Sequence, residues 1–313
     1  MGDKKSIAFY TCSNGLGHYK RVYEVAKLLT DFYDITIYCT QYQSQKIGTI
    51  AGASYVHYRL DNIRWDKTLQ GDVLDSLNDY FDWLIEYGDT VHSYDLVISD
   101  NIVGLLQYRK DIILMGSFFW HDVYETYIGE NYLSFSDRDI LNNVQPTVIT
   151  NKYTETQSMK VYNSKKQFGF GCTEHFNQTK PIKYILPLYP SLEYSKGYSN
   201  KINEIITASK FAIKENLSYI DNICIVARPG VGTITHCVEY SIPLIALYSN
   251  KDSSEIIELA QSIEDLGIGF KQNIDEPINL SKLDGLTDNS NFINTVNVEK
   301  EGYKNIAEYL KSI

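Results

Sequence analysis

The 313-residue sequence lacks the cysteine pattern of a disulfide-bonded or zinc-binding protein. Its cysteines are odd in number and none belongs to a Cys-x-x-Cys pair; they are Cys12, Cys39, Cys172, Cys224 and Cys237. Because Cys12, Cys39 and Cys224 lie in or beside apolar runs, we expect their thiols to be small buried hydrophobic groups. The sequence therefore predicts neither a disulfide framework nor a metal site.

Basic stretches and long apolar runs are missing too. The net charge is −10, from 39 acidic and 29 basic residues, and no segment gathers the cations that nucleic acids or anionic membranes require. No apolar run approaches the ~18 residues of a transmembrane helix. We expect no nucleic-acid partner, at most peripheral membrane contact, and a cytoplasmic location.

What the chain does have is the composition of an ordinary globular protein, with 43% hydrophobic and 22% charged residues. Its length is about twice that of a common domain, which favours two lobes. We predict an N-terminal lobe over residues 1–165, a second lobe over 180–297 and a closing helix over 298–313.

Apolar runs of strand length alternate with helical periodicity in the first half. Strands are predicted at 6–12, 34–40, 54–60, 94–100 and 112–119, and helices at 18–30 and 73–91. Such alternation indicates an α/β fold with a parallel, doubly wound sheet.

The middle of the chain, 124–180, mixes polar and aromatic residues around one predicted strand at 146–150, and we expect loops and the lobe junction there. A second alternating series follows, with strands at 182–188, 222–227 and 243–248 and helices at 200–215, 233–240 and 253–266. The first two of these strands leave room for one helical crossover, so the second lobe is predicted to be shortened.

A glycine-rich turn follows the first strand. Gly15 and Gly17 allow close approach of a ligand to the backbone, and Asn14 lies beside them in the same turn, before the predicted helix. His18 comes next, where an imidazole can act as a base or donate to a phosphate. A simple turn is the alternative interpretation.

The second glycine-rich loop is more specific. Arg228, Gly230, Val231, Gly232 and Thr233 combine a cation, a flexible backbone and a hydroxyl at a helix start. That combination suits a diphosphate or a nucleoside monophosphate, whereas the alternative is a tight turn with a surface arginine.

His236 lies one helical turn further, on the side of Gly232 and Thr233. It is a candidate ligand contact, and a structural histidine is the alternative.

Two aspartates are candidates for the acid–base chemistry. Asp100 ends an apolar strand at the edge where α/β ligands gather, as a base or orienting group, or else as a helix cap. Asp122 and His121 follow three aromatic residues, where either an acceptor pocket or the edge of the aromatic core is expected.

These loops together resemble a known family. The segment 227–233, Pro243 ten residues after Thr233, the pair Asp252 and Ser253, and 266–267 resemble the donor-site signature of GT-B glycosyltransferases. Residues 13–21 are similar to the Gly-x-Gly-His loop of the same superfamily, which includes the peptidoglycan N-acetylglucosaminyltransferase and the UDP-glycosyltransferases.

The resemblance implies two Rossmann-like lobes facing across a cleft, with the acceptor on the first and a nucleotide sugar on the second. In the family the Gly-rich loop holds the donor phosphates, an acidic and amide pair in the next loop binds the sugar, and the first-loop histidine is a base or a phosphate contact. Asp252 and Ser253 occupy the place of that pair here.

The activity implied is metal-independent and cofactor-independent transfer of a sugar to a glycan or lipid-linked acceptor, in bacterial cell-surface polysaccharide biosynthesis. One departure concerns the nucleotide. The family carries a ribose-binding glutamate seven residues before the proline, and this chain has His236 there. A UDP or a CMP donor, and hexosyl or nonulosonyl transfer, are therefore both open.

Two other functions fit the same sequence. One is a nucleotide-sugar hydrolase or epimerase, since the UDP-sugar hydrolase of the pseudaminic-acid pathway also resembles the first loop. The other is a non-catalytic nucleotide-sugar-binding module.

Overall fold

The computed structural model describes residues 4–13, 15–58, 80–171, 182–190, 195–213, 222–286, 299 and 301–313. The chain divides into two compact units. The first comprises Met1–Lys152, Gln157–Cys172 and Gly302–Ile313, and the second comprises Tyr153–Thr156 and Thr173–Glu301.

The first unit is built on a parallel sheet with seven strands in the described residues, in the order β3-β2-β1-β4-β5-β6-β7. The strands are β1 (Lys5–Tyr10), β2 (Tyr33–Cys39), β3 (Ser54–His57), β4 (Leu96–Ser99), β5 (Ile113–Met115), β6 (Val148–Asn151) and β7 (Lys165–Phe168). The central strand β1 is fully buried from Ile7 to Tyr10, as expected for a parallel sheet covered on both faces.

Helices connect these strands. They are α1 (Leu16–Lys27), α2 (Gln41–Ile47), α3 (80–87), α4 (Trp120–Ile128), α5 (Tyr132–Val144) and α6 (Gln157–Val161), with 3-10 turns at Gly88–Ser93 and Val103–Gln107. The helix predicted at 73–91 is thus helical from 80 and tightens to a 3-10 turn at Gly88, while 73–79 lie outside the described residues.

The loops expected at 124–180 are a wrong prediction for much of that segment, because α4, α5, α6 and β7 lie there. Helix α5 buries Leu133, Asp137 and Leu141, which are four residues apart on one face. Because the acidic Asp137 lies in the middle of that face, the sequence of α5 does not show the apolar periodicity of a buried helix. The helix start does carry a local signal, a capping box between Asn131 and Ser134.

The predicted strand at 112–119 is also too long. Only Ile113–Met115 is extended in β5, and the aromatic segment that follows leads into α4, which begins at Trp120.

The second unit holds a five-stranded parallel sheet in its described residues, in the order β12-β11-β10-β8-β9. Its strands are β8 (Tyr184–Leu188), β9 (Ala212–Ile213), β10 (Ile223–Ala227), β11 (Leu244–Tyr248) and β12 (Gly269–Asn273). Its helices are α7 (Ser195–Ala208), α8 (Val231–Glu239), α9 (Ser254–Asp265) and α10 (Leu280–Gly285). The helix predicted at 200–215 therefore begins and ends earlier, and β9 follows it.

Strand β10 is buried on both faces. Ile223 and Ile225 belong to one hydrophobic cluster, and Cys224 and Val226 belong to another on the opposite face. The expectation that the thiols of Cys12, Cys39 and Cys224 are buried is confirmed.

The C-terminal helix α11 (Gly302–Lys311) belongs to the first unit. Tyr303 donates its backbone N–H to the carbonyl of Gly171 at 2.9 Å, and the Tyr33 hydroxyl donates to the carbonyl of Leu310 at 3.1 Å.

The two strand orders are those of doubly wound folds, 3-2-1-4-5-6-7 and 2-1-3-4-5 when each unit is numbered by itself. The predicted α/β class with two doubly wound parallel sheets is confirmed. In the described ranges, every helix is too short or too polar to cross a lipid bilayer.

Candidate active site

The switch point of the first sheet lies between β1 and β4, where the strand order reverses. Ligands of open α/β sheets bind outside the carboxyl ends of the strands at such a point. The loop after β1 leads to His18 on α1, and Asp100 follows β4 directly.

His18 and Asp100 are hydrogen-bonded to each other. The Nδ1 atom of His18 lies 2.7 Å from Oδ2 of Asp100. The carboxylate is fully buried, whereas 13% of the His18 side chain is exposed to solvent. Within the described part of the chain, Nε2 of His18 makes no hydrogen bond. One ring nitrogen is thus held by the protein, and the other is the atom that can meet a substrate.

Arg21 joins this pair from the next turn of α1. Its Nε donates to Oδ1 of Asp100 at 2.6 Å, and its Nη2 lies 2.7 Å from Nδ1 of His18. The Arg21 side chain is itself buried. The three side chains form one charged cluster, which we call the His18 cluster.

The cluster keeps Asp100 ionised. Burial by itself raises the pKa of this carboxyl, but the positive charge of Arg21, together with the charge and hydrogen bond of His18, holds the pKa below its usual value. In the tautomer that carries its proton on Nδ1, His18 donates a hydrogen bond to this charged carboxylate, and the contact fixes the orientation of the ring. Asp100 is therefore placed to orient His18.

Two aromatic rings contact the imidazole. Trp120 is stacked on it at 5.8 Å between centroids and 26° between planes, and Phe118 meets it edge-on at 6.3 Å. The aromatic segment before Asp122 thus contacts His18.

The glycine-rich turn before α1 is held by Gln43 on α2. The fully buried Gln43 amide donates to the carbonyls of Cys12 at 2.8 Å and Gly15 at 2.9 Å. Gly15 has φ of +81°, a conformation that favours glycine, and in the described part of the chain no atom lies within 4 Å of a Cβ added at Gly17. Asn14 lies outside the described residues.

Asp122 has other partners. It accepts a hydrogen bond from the Ser158 hydroxyl, and its Oδ1 lies 3.4 Å from Nε2 of His121 and 4.0 Å from Nη2 of Arg138. Burial lowers the pKa of His121, although the negative charge of Asp122 opposes this. The structure brings His18 and Asp100 together and gives Asp122 a different set of polar contacts.

In the second unit the switch point lies between β10 and β8. The second glycine-rich loop leaves the carboxyl end of β10 and leads to α8, which begins at Val231 with Gly230 as its N-cap and no side-chain cap. The first-turn N–H groups of a helix have no partners within it, and they favour an anion. Among the residues that the structure describes, nothing lies within 4 Å of a Cβ added at Gly230 or Gly232, and a ligand that approaches the backbone of this turn needs that space. Thr233 is half-buried in the same turn.

Arg228 and Asp252, both expected at the donor site, bind each other. The guanidinium donates from Nε at 3.3 Å and from Nη2 at 3.2 Å to Oδ1 of Asp252. The buried carboxylate also accepts bonds from the Tyr198 hydroxyl and, at 2.8 Å, from the backbone N–H of Ser249. Asp252 therefore positions the arginine beside the loop and partly neutralises its charge.

The remaining donor-site candidates lie on neighbouring helices. Ser253 is the N-cap residue of α9 and is buried. His236, half-buried on α8, packs against Tyr240 with ring centroids 4.5 Å apart.

Two residues of the first site were missed by sequence reasoning. Arg21 lies three residues after His18, so both occupy one face of α1, and this spacing was the available signal. Gln43 forms a capping box with Thr40, which marks the start of α2 but says nothing of the distant loop that Gln43 also holds.

Two doubly wound parallel units, each with a glycine-rich loop at its switch point, define the GT-B class of fold. Comparison with solved structures agrees along the whole chain. MurG of Acinetobacter baumannii matches with a TM-score of 0.65 and 9% identity, covering 99% of this chain and 100% of that one. The kitacinnamycin glycotransferase matches with a TM-score of 0.62 and 14% identity, covering 99% of each chain.

UGT89C1 of Arabidopsis thaliana, solved in complex with UDP-L-rhamnose, matches with a TM-score of 0.60 and 10% identity, covering 99% of each chain. No protein-family model matches the sequence, and no curated protein matches it either. At these identities the likeness shows the fold, and the predicted GT-B fold is confirmed.

Proposed function

We propose that this protein is a glycosyltransferase that moves a sugar from a nucleoside diphosphate sugar to a hydroxyl of a glycan or lipid-linked acceptor. The observation that carries the proposal is the His18–Asp100 pair at the first switch point, in a chain whose whole length has the fold of glycosyltransferases. A buried carboxylate holds one nitrogen of an imidazole whose other nitrogen is available, which is how a general base is built.

In the proposed step, Nε2 of His18 takes the proton of the acceptor hydroxyl. The acceptor oxygen then forms a bond to the anomeric carbon as the bond from that carbon to the phosphate oxygen breaks. The electron pair of the broken bond leaves with the nucleoside diphosphate. Asp100 stabilises the positive charge that His18 gains.

We propose that groups of the second unit neutralise the negative charge that develops on the leaving group. These groups are the backbone N–H groups of Val231, Gly232 and Thr233 and the guanidinium of Arg228. Because they can neutralise the charge, we propose a reaction without a metal or cofactor. Asp252 and Ser253 are the proposed contacts of the sugar, and Asn14, Gly15 and Gly17 extend the phosphate contacts.

The donor class we favour is a UDP sugar, with a CMP sugar as the alternative. The support for UDP is that UGT89C1, a protein of the same fold, was solved with UDP-L-rhamnose. A cytoplasmic role in bacterial cell-surface polysaccharide synthesis follows as part of the proposal, with residues 1–165 as the acceptor lobe, 180–297 as the donor lobe and 298–313 as the closing helix.

The proposal predicts which nucleotide stabilises the protein. In a thermal-shift series with UDP, GDP, dTDP and CMP, UDP is expected to raise the melting temperature most. At 100 times its dissociation constant a ligand stabilises the native state by about 2.7 kcal/mol. The Arg228→Ala variant is expected to lose about 1.5–3 kcal/mol of UDP binding, the value of a charge-assisted hydrogen bond.

Two controls make this test specific. Arg228→Ala leaves the buried Asp252 carboxylate without its cation, so the double variant Arg228→Ala/Asp252→Ala separates lost binding from lost stability. Gly232→Ala adds a methyl group for which the described residues of other elements leave space, so it should keep the melting temperature without ligand and lose the UDP shift. No nucleotide shift in the wild type contradicts the donor site, and free sugar released without an acceptor identifies a hydrolase instead.

His236 is expected to face the nucleotide, where the resembling family carries a ribose-binding glutamate. The His236→Glu variant is therefore predicted to change the order of affinity among UDP, GDP, dTDP and CMP, measured by calorimetry. His236→Gln serves as the uncharged control. An unchanged order with His236→Glu, or an imidazole found against apolar side chains in a liganded structure, would remove His236 from the site.

A further inference from the structure

The two oxygens of the Asp252 carboxylate have different partners. Oδ2 accepts hydrogen bonds from the Tyr198 hydroxyl and, at 2.8 Å, from the backbone N–H of Ser249. Oδ1 is contacted by the Arg228 guanidinium, from Nε at 3.3 Å and from Nη2 at 3.2 Å. The oxygen that Tyr198 holds is thus not the oxygen that meets the arginine.

The sheet order explains how a residue of α7 reaches this carboxylate. Strands β8 and β10 are neighbours, with Leu188 opposite Ala227, so the chain leaves both strands at the same edge. Arg228 follows β10 directly, and α7 follows β8 and begins at Ser195. Tyr198 is in the first turn of α7 and therefore lies at the carboxyl edge of the sheet, where the ligands of α/β proteins bind.

The Tyr198 side chain is a fixed support. Its ring is buried in the hydrophobic cluster that also contains Ile202 and Ile205, one and two turns further along α7. Burial and the Asp252 carboxylate raise the pKa of the Tyr198 hydroxyl, and the opposing charge of Arg228 does not reverse the rise. The hydroxyl therefore keeps its proton and donates it to the hydrogen bond with Asp252.

The Arg228 side chain is less firmly held. It is 22% exposed, and its two contacts with Oδ1 are longer than the bond from Ser249 to Oδ2. A long side chain that is not fixed beforehand loses rotamer freedom when a phosphate binds it. Because Oδ2 is held from two directions, the carboxylate cannot turn, and Oδ1 stays where the guanidinium meets it.

We propose that Tyr198 is a positioning residue of the donor site: by holding Oδ2 of Asp252, it fixes Oδ1 and keeps the Arg228 guanidinium in place before a phosphate group arrives. In this role Tyr198 touches neither the nucleotide nor the sugar. That the guanidinium serves a donor phosphate rests on the proposed function, whereas the position of Arg228 is measurable without any ligand.

The first test compares UDP with uridine, which lacks the phosphate groups, by NMR titration of the full-length protein. We expect Tyr198→Phe to weaken UDP binding by roughly 3- to 10-fold, the effect of having to order one long side chain on binding, and to leave the affinity for uridine unchanged. An equal loss for both ligands is the result of a merely structural role and overturns the inference, as does an unchanged affinity for UDP.

The Tyr198→Phe variant is expected to fold, because phenylalanine keeps the buried ring and Asp252 keeps its bonds from Ser249 and Arg228. A variant that does not fold would show that the hydroxyl is needed for the structure of the whole unit, and this result also overturns the positioning role. Tyr189→Phe is the matched control, since the exposed Tyr189 hydroxyl donates at 3.0 Å to Asn203 of α7. It should bind UDP as the wild type does.

A double-variant comparison shows whether the effect passes through Arg228. In the Arg228→Ala/Asp252→Ala protein the Tyr198 hydroxyl has neither the carboxylate to hold nor the guanidinium to position. Adding Tyr198→Phe to this protein should therefore leave its affinity for UDP unchanged. A further loss of affinity there would mean that Tyr198 acts by another route, and it overturns the inference.

A measurement without ligand separates this inference from the proposed function. In protein labelled with ¹⁵N-arginine, the Nε–H signal of Arg228 is assigned by its loss in Arg228→Lys. Its exchange with water should be roughly 3- to 10-fold faster in Tyr198→Phe than in the wild type, and unchanged in Tyr189→Phe. Equal rates in the wild type and Tyr198→Phe overturn the inference. If the wild type binds no nucleotide, the proposed donor site fails, and these exchange rates still decide the role of Tyr198.

Discussion

Replacement of His18 by alanine is expected to slow sugar transfer by about 10² to 10⁴-fold, because the step loses its general base. The fold and most of the donor affinity should be retained, since the buried Asp100 carboxylate keeps its bond from Arg21 when the imidazole is removed. The measurement is kcat and KM for the nucleotide sugar, with donor affinity determined separately by calorimetry.

His92→Ala is a suitable control, because that histidine is exposed in the turn before β4. Normal turnover in a well-folded His18→Ala protein would exclude His18 from the chemistry. If donor affinity falls together with the rate, His18 is instead a phosphate contact, and Asp122 becomes the better candidate base.

Substitution of Asp137 by asparagine is expected to flatten the dependence of stability on pH. Asp137 is fully buried on α5, and burial raises the pKa of its carboxyl to about 8. The folded state therefore holds a proton that the unfolded chain, with a pKa near 3.9, releases. The stabilisation that the protonated Asp137 carboxyl contributes to the folded state is complete below about pH 4 and falls as the pH rises to about 8. By pH 7 the loss is on the order of 4 kcal/mol.

The measurement is the free energy of unfolding by urea at several pH values from 4 to 8. The wild type should lose stability over this range, and Asp137→Asn should lose less, because an amide does not titrate. A difference in the free energy of unfolding that is the same at every pH is a separate effect, because the buried amide must itself be hydrogen-bonded. Asp139→Asn, an exposed position on the same helix, is the matched control. Equal slopes for the wild type and Asp137→Asn would mean that Asp137 does not titrate in this range.

The sequence carried the strongest local signals at the two glycine-rich loops. Strand, glycine turn and helix are close in sequence, and their geometry depends on glycine conformations and helix starts, which are local properties. His18 was identifiable for that reason. Asp100 was identifiable as a polar residue at the end of an apolar strand, but whether it would act as a base, an orienting group or a cap was open.

The residues that these side chains contact could be identified only in the folded chain. Arg228 and Asp252 were both expected to contact the donor, yet they bind each other, because β10 and the loop after β11 are neighbours only in the sheet. Asp122 was predicted beside the acceptor site and has Ser158 and Arg138 as contacts. Such contacts join positions tens of residues apart, and spacing along the chain does not encode them.

By itself the sequence determined the α/β class, the two doubly wound series and the positions of both loops, because patterning and turn chemistry act over a few residues. The tertiary structure decided the strand order that makes the first loop meet Asp100, and with it the charges around His18. Strand order depends on which buried faces pack together across the whole unit. For that reason Arg21, one residue among many on an amphipathic helix in the sequence, became the third side chain of the His18 cluster only in the folded protein.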